Sequence, residues 1–334
     1  MAEKKDFKKW ANYLIGPALF IVLTLLIYHK IKQQYAWDDI KTIFLNAFSS
    51  GNRALLISLF LLMIVNWTLE AAKWRLLMKP VQSVSLLTAC KAILSGLSFS
   101  MFIPTAAGEY AGRTLYMHEG NRLRSISLNV VGSISQLLIT LVAGSAGLLY
   151  LKDDLLKTSS SGSSLNIIWF DGLLYAVIAA AFVFGLIYFG LGFFTRWFEK
   201  IPVIQKHIIF VQSLEEFRLP QLTQILLLSL LRYSVFIVQY IIVLQVFNVT
   251  VLWLQAAFAT SVLLLILSAI PSVPNIAELG VRGEVSRQLF GLLSANTAGI
   301  VFSAALIWIV NLILPAILGS LFLTGIKIFR NKVE

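Results

Sequence analysis

The chain has 334 residues, 58% of them hydrophobic and only 13% charged, with a mean hydropathy of +0.83. A soluble domain carries about 25% charged residues, so the composition excludes an ordinary globular enzyme and makes lipid the expected solvent. The net charge of +11 points to nucleic acid only if the basic residues form a patch on a soluble surface; here they lie mainly between apolar runs, which excludes a nucleic-acid partner.

In chain order, Lys4, Lys5, Lys8 and Lys9 precede a first apolar run over about 11–28, which is too long for a signal-peptide core and lacks an A-x-A site. It reads as a retained anchor helix. Further full spans are predicted at about 54–72, 125–151, 167–194, 222–247 and 297–325, each long enough to cross a hydrocarbon core of about 30 Å as helix. Lys327, Arg330 and Lys332 follow the last run, so the positive-inside rule puts both termini in the cytoplasm of a multi-pass inner-membrane protein.

Two apolar segments are interrupted. Leu86 to Ile103 meets Pro104 and then Glu109 to Arg113; Val251 to Ile270 meets Pro271, Pro274 and then Glu278 to Arg282. Each is read as a broken, re-entrant hairpin, because full crossings would place the basic loop with Arg113, Arg122 and Arg124 outside. The expected fold is therefore all-α and polytopic, with about six full spans plus two broken hairpins in a single membrane domain.

The layout repeats, with an amphipathic stretch (Tyr35 to Phe48, later Ile204 to Phe217) after the first span of each half. The repeats are expected at about 10–151 and 167–325, with the neutral loop Thr158 to Ser164 outside. Three full crossings per half make the second repeat inverted relative to the first, a transporter arrangement.

The strongest candidates for function are Glu109 with Arg113 and Glu278 with Arg282. Each pair has i,i+4 spacing on one helix face, just after a proline break where unpaired N–H groups suit an anion. On one reading, Arg113 and Arg282 contact an anionic headgroup while the glutamates orient them; on the other, the pairs neutralise each other, and Asn275 with Glu278 forms a capping box. Arg232 lies near the middle of a span and needs a partner, either a lipid phosphate, a gating contact with Glu109 or Glu278, or a fixed ion pair. Glu70, Lys73 and Arg75, beside Trp74, read as an interfacial anchor, with headgroup capture as the alternative; Gln239 and Tyr240 share the span of Arg232.

Catalytic sets are thin. His29, His118 and His207 are scattered, Cys90 is the only cysteine, and no HExxH, GxSxG or Walker sequence is present. No metal, cofactor or catalytic residue is expected. An intramembrane transferase using Glu109 or Glu278 as base is a third option that lacks a visible nucleophile or donor site.

The motifs Phe102-Ile-Pro-Thr-Ala-Ala-Gly-Glu-Tyr-Ala-Gly-Arg113 and Ile270-Pro-Ser-Val-Pro-Asn-Ile-Ala-Glu-Leu-Gly-Val-Arg-Gly-Glu284 resemble the lysylphosphatidylglycerol synthase transmembrane-region family. The matching positions are Pro104, Gly108, Glu109, Arg113, Pro271, Gly280, Val281 and Arg282. The second motif departs at its turn, where the family has glycines, and Gly283 precedes Glu284. The resemblance implies a flippase-like domain that moves a headgroup-modified phospholipid between leaflets. With Glu334 following directly on the last span, a stand-alone member without the synthase domain is expected. The leading expectation is a translocator of an anionic, headgroup-modified or polyprenyl-linked lipid. The alternative is a non-catalytic subunit that binds lipid and recruits a separate glycosyl- or aminoacyl-transferase.

Overall fold

A computed structural model describes residues 37–102, 106–158, 164–193, 217–270 and 275–323, together with Leu25. These are mostly helical, with no strand among the described residues, so the fold is all-α. All of the first span but Leu25, both basic termini, most of the neutral loop after Thr158, most of Ile204 to Phe217, Pro104, Pro271, Pro274 and the side chain of Asn275 lie outside the described residues.

An amphipathic helix α1 (Trp37–Ala47) precedes α2 (Arg53–Met78). Then come α3 (Leu86–Phe102), α4 (Ala106–Thr114), α5 (Arg122–Thr158), α6 (Ser164–Phe189) and α7 (Leu219–Val246). The chain continues through α8 (Trp253–Ala269), α9 (Asn275–Phe290), α10 (Thr297–Trp308), a π turn at Ile309–Ile313 and α11 (Leu314–Leu323).

Five helical runs are long and apolar enough to cross a membrane: Arg53–Met78, Glu119–Asp153, Phe170–Phe189, Leu219–Val246 and Thr297–Leu323. They fall on the five predicted spans within the described residues. Helix α5 has 37 residues, about 55 Å of helix against a core of about 30 Å, so its ends reach past the hydrocarbon. Helices α3 and α8 have 17 residues each, about 25 Å, and both stop at the interruptions read from the sequence.

Helix ends follow local chemistry. Pro80 cannot continue α2, and Ser85 caps α3 by accepting from the N–H of Thr88 at 3.1 Å. Helix α7 closes on Asn248 at φ 52°, with Val249 N–H donating to Leu244 at 2.8 Å and Asn248 N–H to Gln245 at 3.0 Å, a Schellman ending. Pro315 has no N–H to give the carbonyl of Asn311, four residues back, which accounts for the π turn there.

The chain forms two compact units, each drawing on distant parts of the sequence. The first comprises Met1–Leu62, Ala143–Asp171 and Ile237–Asn311. In it Gly147 faces the Phe258 carbonyl and Gly144 faces Leu265, so α5 and α8 pack through a side with no Cβ. Phe44 of α1 meets Phe302 of α10 edge-on at 6.1 Å. Asn296 caps α10, accepting from Gly299 N–H at 2.9 Å while its amide donates to the Phe247 carbonyl at 3.0 Å.

The second unit comprises Met63–Val142, Gly172–Phe236 and Leu312–Glu334. Its core includes Trp74, Leu77, Ile93, Leu128, Tyr188 and Ile225, all fully or almost fully buried. Two polar contacts tie it together, with Tyr188 donating to the Leu222 carbonyl at 2.8 Å and Ser135 meeting Ser229 at 2.8 Å across α5 and α7. Large apolar side chains on several sides of α6 point outward, among them Ile168, Leu173, Tyr175, Phe182 and Leu186, as lipid-facing helix surface requires.

Candidate functional site

In the second unit the site begins with α2. Asn66, Glu70, Lys73, Trp74 and Leu77 recur at three- and four-residue spacing, so they share the buried face, while Arg75 turns outward. Glu70 is 4% exposed and Lys73 3%. This corrects the reading of Glu70 and Lys73 as an interfacial anchor: helix periodicity puts them into the core, and only Arg75 of the three is exposed.

Glu70 is the hub. Lys73 Nζ lies 2.7 Å from its Oε2, Arg232 Nη1 3.3 Å from the same oxygen, and Arg113 Nη2 3.2 Å from Oε1. Arg113 also pairs with Glu109 one turn earlier and donates to Asn129 Oδ1 at 3.3 Å. Arg232 donates to Asn66 at 3.0 Å and Gln136 at 3.5 Å and stands over the Trp67 ring at 5.2 Å. Its carboxylate partner among the described residues of this unit is therefore Glu70 and not Glu109.

Helix α4 can deliver Arg113 to Glu70 because glycines remove the spacing between backbones. A Cβ on Gly112 would lie 2.6 Å from Gly96 Cα, and one on Gly96 would lie 2.6 Å from the Glu109 carbonyl. Helix α11 closes on the same helix α3, with Gly319 against the Leu94 carbonyl and Ser98 Oγ donating to the Ala316 carbonyl.

The cluster holds three cations (Lys73, Arg113, Arg232) and two carboxylates (Glu70, Glu109), a formal excess of one positive charge. Side-chain exposure is 6% or less for Glu70, Lys73 and Arg113, but 21% for Arg232 and 31% for Glu109, so those two form its open edge. An uncompensated charge among apolar helices is costly, and an anion at that edge would offset it.

In the first unit the second motif builds a smaller site. Arg282 Nη2 donates to Glu278 Oε1 at 2.7 Å, and its Nη1 donates to the Tyr240 hydroxyl at 3.1 Å. One turn further, Arg287 and Glu284 pair at 2.6 Å. Glu278 is the open member here, with 29% side-chain exposure against 11% for Arg282. Gln239, next to Tyr240, donates instead to the Leu59 carbonyl at 3.3 Å.

The two motifs thus share a pattern: a buried arginine tied to a half-exposed glutamate four residues earlier, with its Nε buried and without a hydrogen-bond partner among the described residues. They differ in the second acceptor, a carboxylate for Arg113 and a phenol for Arg282. Sequence reasoning paired each arginine with its glutamate but missed Glu70 as the shared acceptor and Asn129, Asn66 and Gln136 as supports. The one trace in the sequence was a carboxylate on the same helix face as Asn66 and Trp74, a pattern that fits a headgroup-facing side as well as a buried one.

No curated protein matches the chain. The family model described as the lysylphosphatidylglycerol synthase TM region matches residues 13–319. The chain belongs to that family, which ties this multi-pass membrane protein to lipid metabolism or translocation.

Proposed function

We propose that the protein is a lipid translocator that moves an anionic, headgroup-modified or polyprenyl-linked lipid between leaflets and carries no chemistry of its own. The observation that carries this reading is the buried Glu70 cluster, whose excess positive charge opens toward Glu109 and Arg232. A phosphate at that edge exchanges water for guanidinium donors that the cluster already holds in place, while Glu109 gives way. Arg282, neutralised by Glu278 at its open side, offers a second guanidinium station once Glu278 gives way. The short helices α3 and α8, each followed by a second helix bearing the Glu/Arg pair, support re-entrant hairpins in inverted repeats, with both termini cytoplasmic.

The test is leaflet exchange of fluorescent anionic and zwitterionic lipids in proteoliposomes, comparing wild type with Arg113→Ala, Arg282→Ala and the lysine variants Arg113→Lys and Arg282→Lys. Headgroup-dependent exchange lost in the alanine variants and partly kept in the lysine variants is the expected result. The lysine variants preserve a positive charge in the core and separate loss of transport from loss of folding. Normal exchange by an Arg113→Ala/Arg282→Ala double variant would refute the proposal. Absent exchange of every tested lipid, polyprenyl phosphates included, together with co-purification of a transferase, would favour the accessory-subunit reading.

A further inference from the structure

A second feature of the second unit lies on the opposite side of α2 from the buried cluster. Ala72, Arg75, Leu76 and Lys79 follow one another at three- and four-residue spacing and line a cavity of about 380 Å³. Its remaining walls include Ser83, Leu86 and Leu228. The volume falls within the range of about 300–1,000 Å³ typical of small-molecule sites.

The lining is divided by chemistry. Arg75, Lys79 and Ser83 are exposed, and among the described residues neither Arg75 nor Lys79 has an acidic partner. Leu76, Leu86 and Leu228 supply the apolar part. The division arises from the chain itself: Pro80 stops α2 and Ser85 starts α3, so the short connector folds back against the last turn of α2 and holds Ser83 beside the two cations. The hydroxyl of Ser85 is occupied with the cap and with Thr88 at 2.8 Å, which leaves Ser83 as the polar donor of the connector that faces the cavity.

Two cations and a hydroxyl at the end of a membrane-spanning helix, next to leucines, match one kind of molecule: an anionic phosphate attached to an acyl chain. We infer that this cavity is a binding site for an acidic glycerophospholipid, with the phosphate on Arg75, Lys79 and Ser83 and an acyl chain along Leu86 and Leu228. Charge complementarity selects the occupant. A zwitterionic lipid brings its own cation with the phosphate and so adds no net negative charge to offset Arg75 and Lys79, and a free phosphate leaves the apolar side of the cavity unfilled. The site stands apart from the Glu70 cluster and binds its lipid whether or not the chain transports, so it does not rest on the translocator reading.

The experiment uses the full chain in phosphatidylcholine nanodiscs containing phosphatidylglycerol with a diazirine in its acyl chain, with adducts mapped by peptide mass spectrometry after irradiation. Adducts are expected on peptides containing Leu86 or Leu228. Unlabelled phosphatidylglycerol should compete, and phosphatidylcholine and inorganic phosphate should not. An Arg75→Gln/Lys79→Gln variant should lower the yield by about tenfold or more, at about 1 kcal/mol per basic residue near an acidic lipid. Leu228→Trp, which fills the apolar side and keeps both charges, should lower it as well, so a folding defect in one variant leaves the other decisive. An unchanged yield in both variants overturns the proposal. So does equal competition by phosphatidylcholine, which would mean ordinary surrounding lipid, or by inorganic phosphate, which would mean a free-anion site.

Discussion

Glu70 shows how far one side chain determines the local electrostatics. With it, three cations share two carboxylates; without it, Lys73, Arg113 and Arg232 retain, among the described residues, only Glu109, which touches Arg113 alone. Removing one partner from a buried ionic set typically costs about 3–5 kcal/mol, because the charges left behind have no water to turn to. Glu70→Gln should therefore lower the thermal unfolding midpoint in detergent well below that of Glu278→Gln, whose partner Arg282 keeps Tyr240. Adding Lys73→Met to Glu70→Gln should recover part of the loss, since it removes a cation together with its counter-charge. A double variant as unstable as the sum of the two singles would mean that Glu70 and Lys73 do not act as a unit. The Glu109/Arg113 and Glu278/Arg282 pairs could be read from the sequence because i,i+4 spacing fixes them within one turn of helix. Glu70 could not, because a carboxylate followed closely by Lys73 and Arg75 at the end of an apolar run looks the same whether its face meets headgroups or another helix.

At the level of the helices, run length and proline placement were enough to read α2, α5, α6, α7 and the α10 to α11 run, as well as the short α3 and α8, since a span must satisfy its own backbone over a fixed thickness. Helix α1 was legible from its amphipathic pattern, and it packs on α10 through Phe44 and Phe302. What the sequence hid was the closeness of α3 and α4. In one sequence a helical glycine registers only as a propensity cost of about 1 kcal/mol, whereas Gly96 and Gly112 let two backbones touch. Gly112→Val places a branched side chain where even a Cβ would lie 2.6 Å from Gly96 Cα, so α4 must move away and take Arg113 from Glu70. Overpacking of this kind costs about 1–3 kcal/mol or more. The expected outcome is a lowered thermal midpoint together with lost lipid exchange. Gly120→Ala, with nothing within 4 Å of its added Cβ, serves as the unaffected control. A Gly112→Val variant as stable and active as that control would show that this contact does not position the motif.

For the whole molecule, hydropathy taken one segment at a time cannot say which helices pack together, and the two units each combine segments from widely separated parts of the chain. Sidedness, by contrast, has a sequence-level argument. Each half is read with three full crossings and one hairpin; three is odd, so the second half begins on the side opposite to the first. The basic loop after α4 then lies in the cytoplasm with Gly120, and the loop before α10 lies outside with Ser294. After Cys90→Ala, single cysteines at Gly120→Cys and Ser294→Cys report this through a membrane-impermeant maleimide. Gly120 is exposed with open space around it, so the new thiol there is harmless and reachable. Ser294→Cys should label in intact cells and Gly120→Cys only after permeabilisation. If both label in intact cells, both Glu/Arg-bearing segments cross the membrane completely; if both label only after permeabilisation, the second of them does so alone. The halves would then have four crossings each, an even number, or three against four, and in either case the inverted repeat, with the pairing of Arg113 and Arg282 as equivalent stations, would fall.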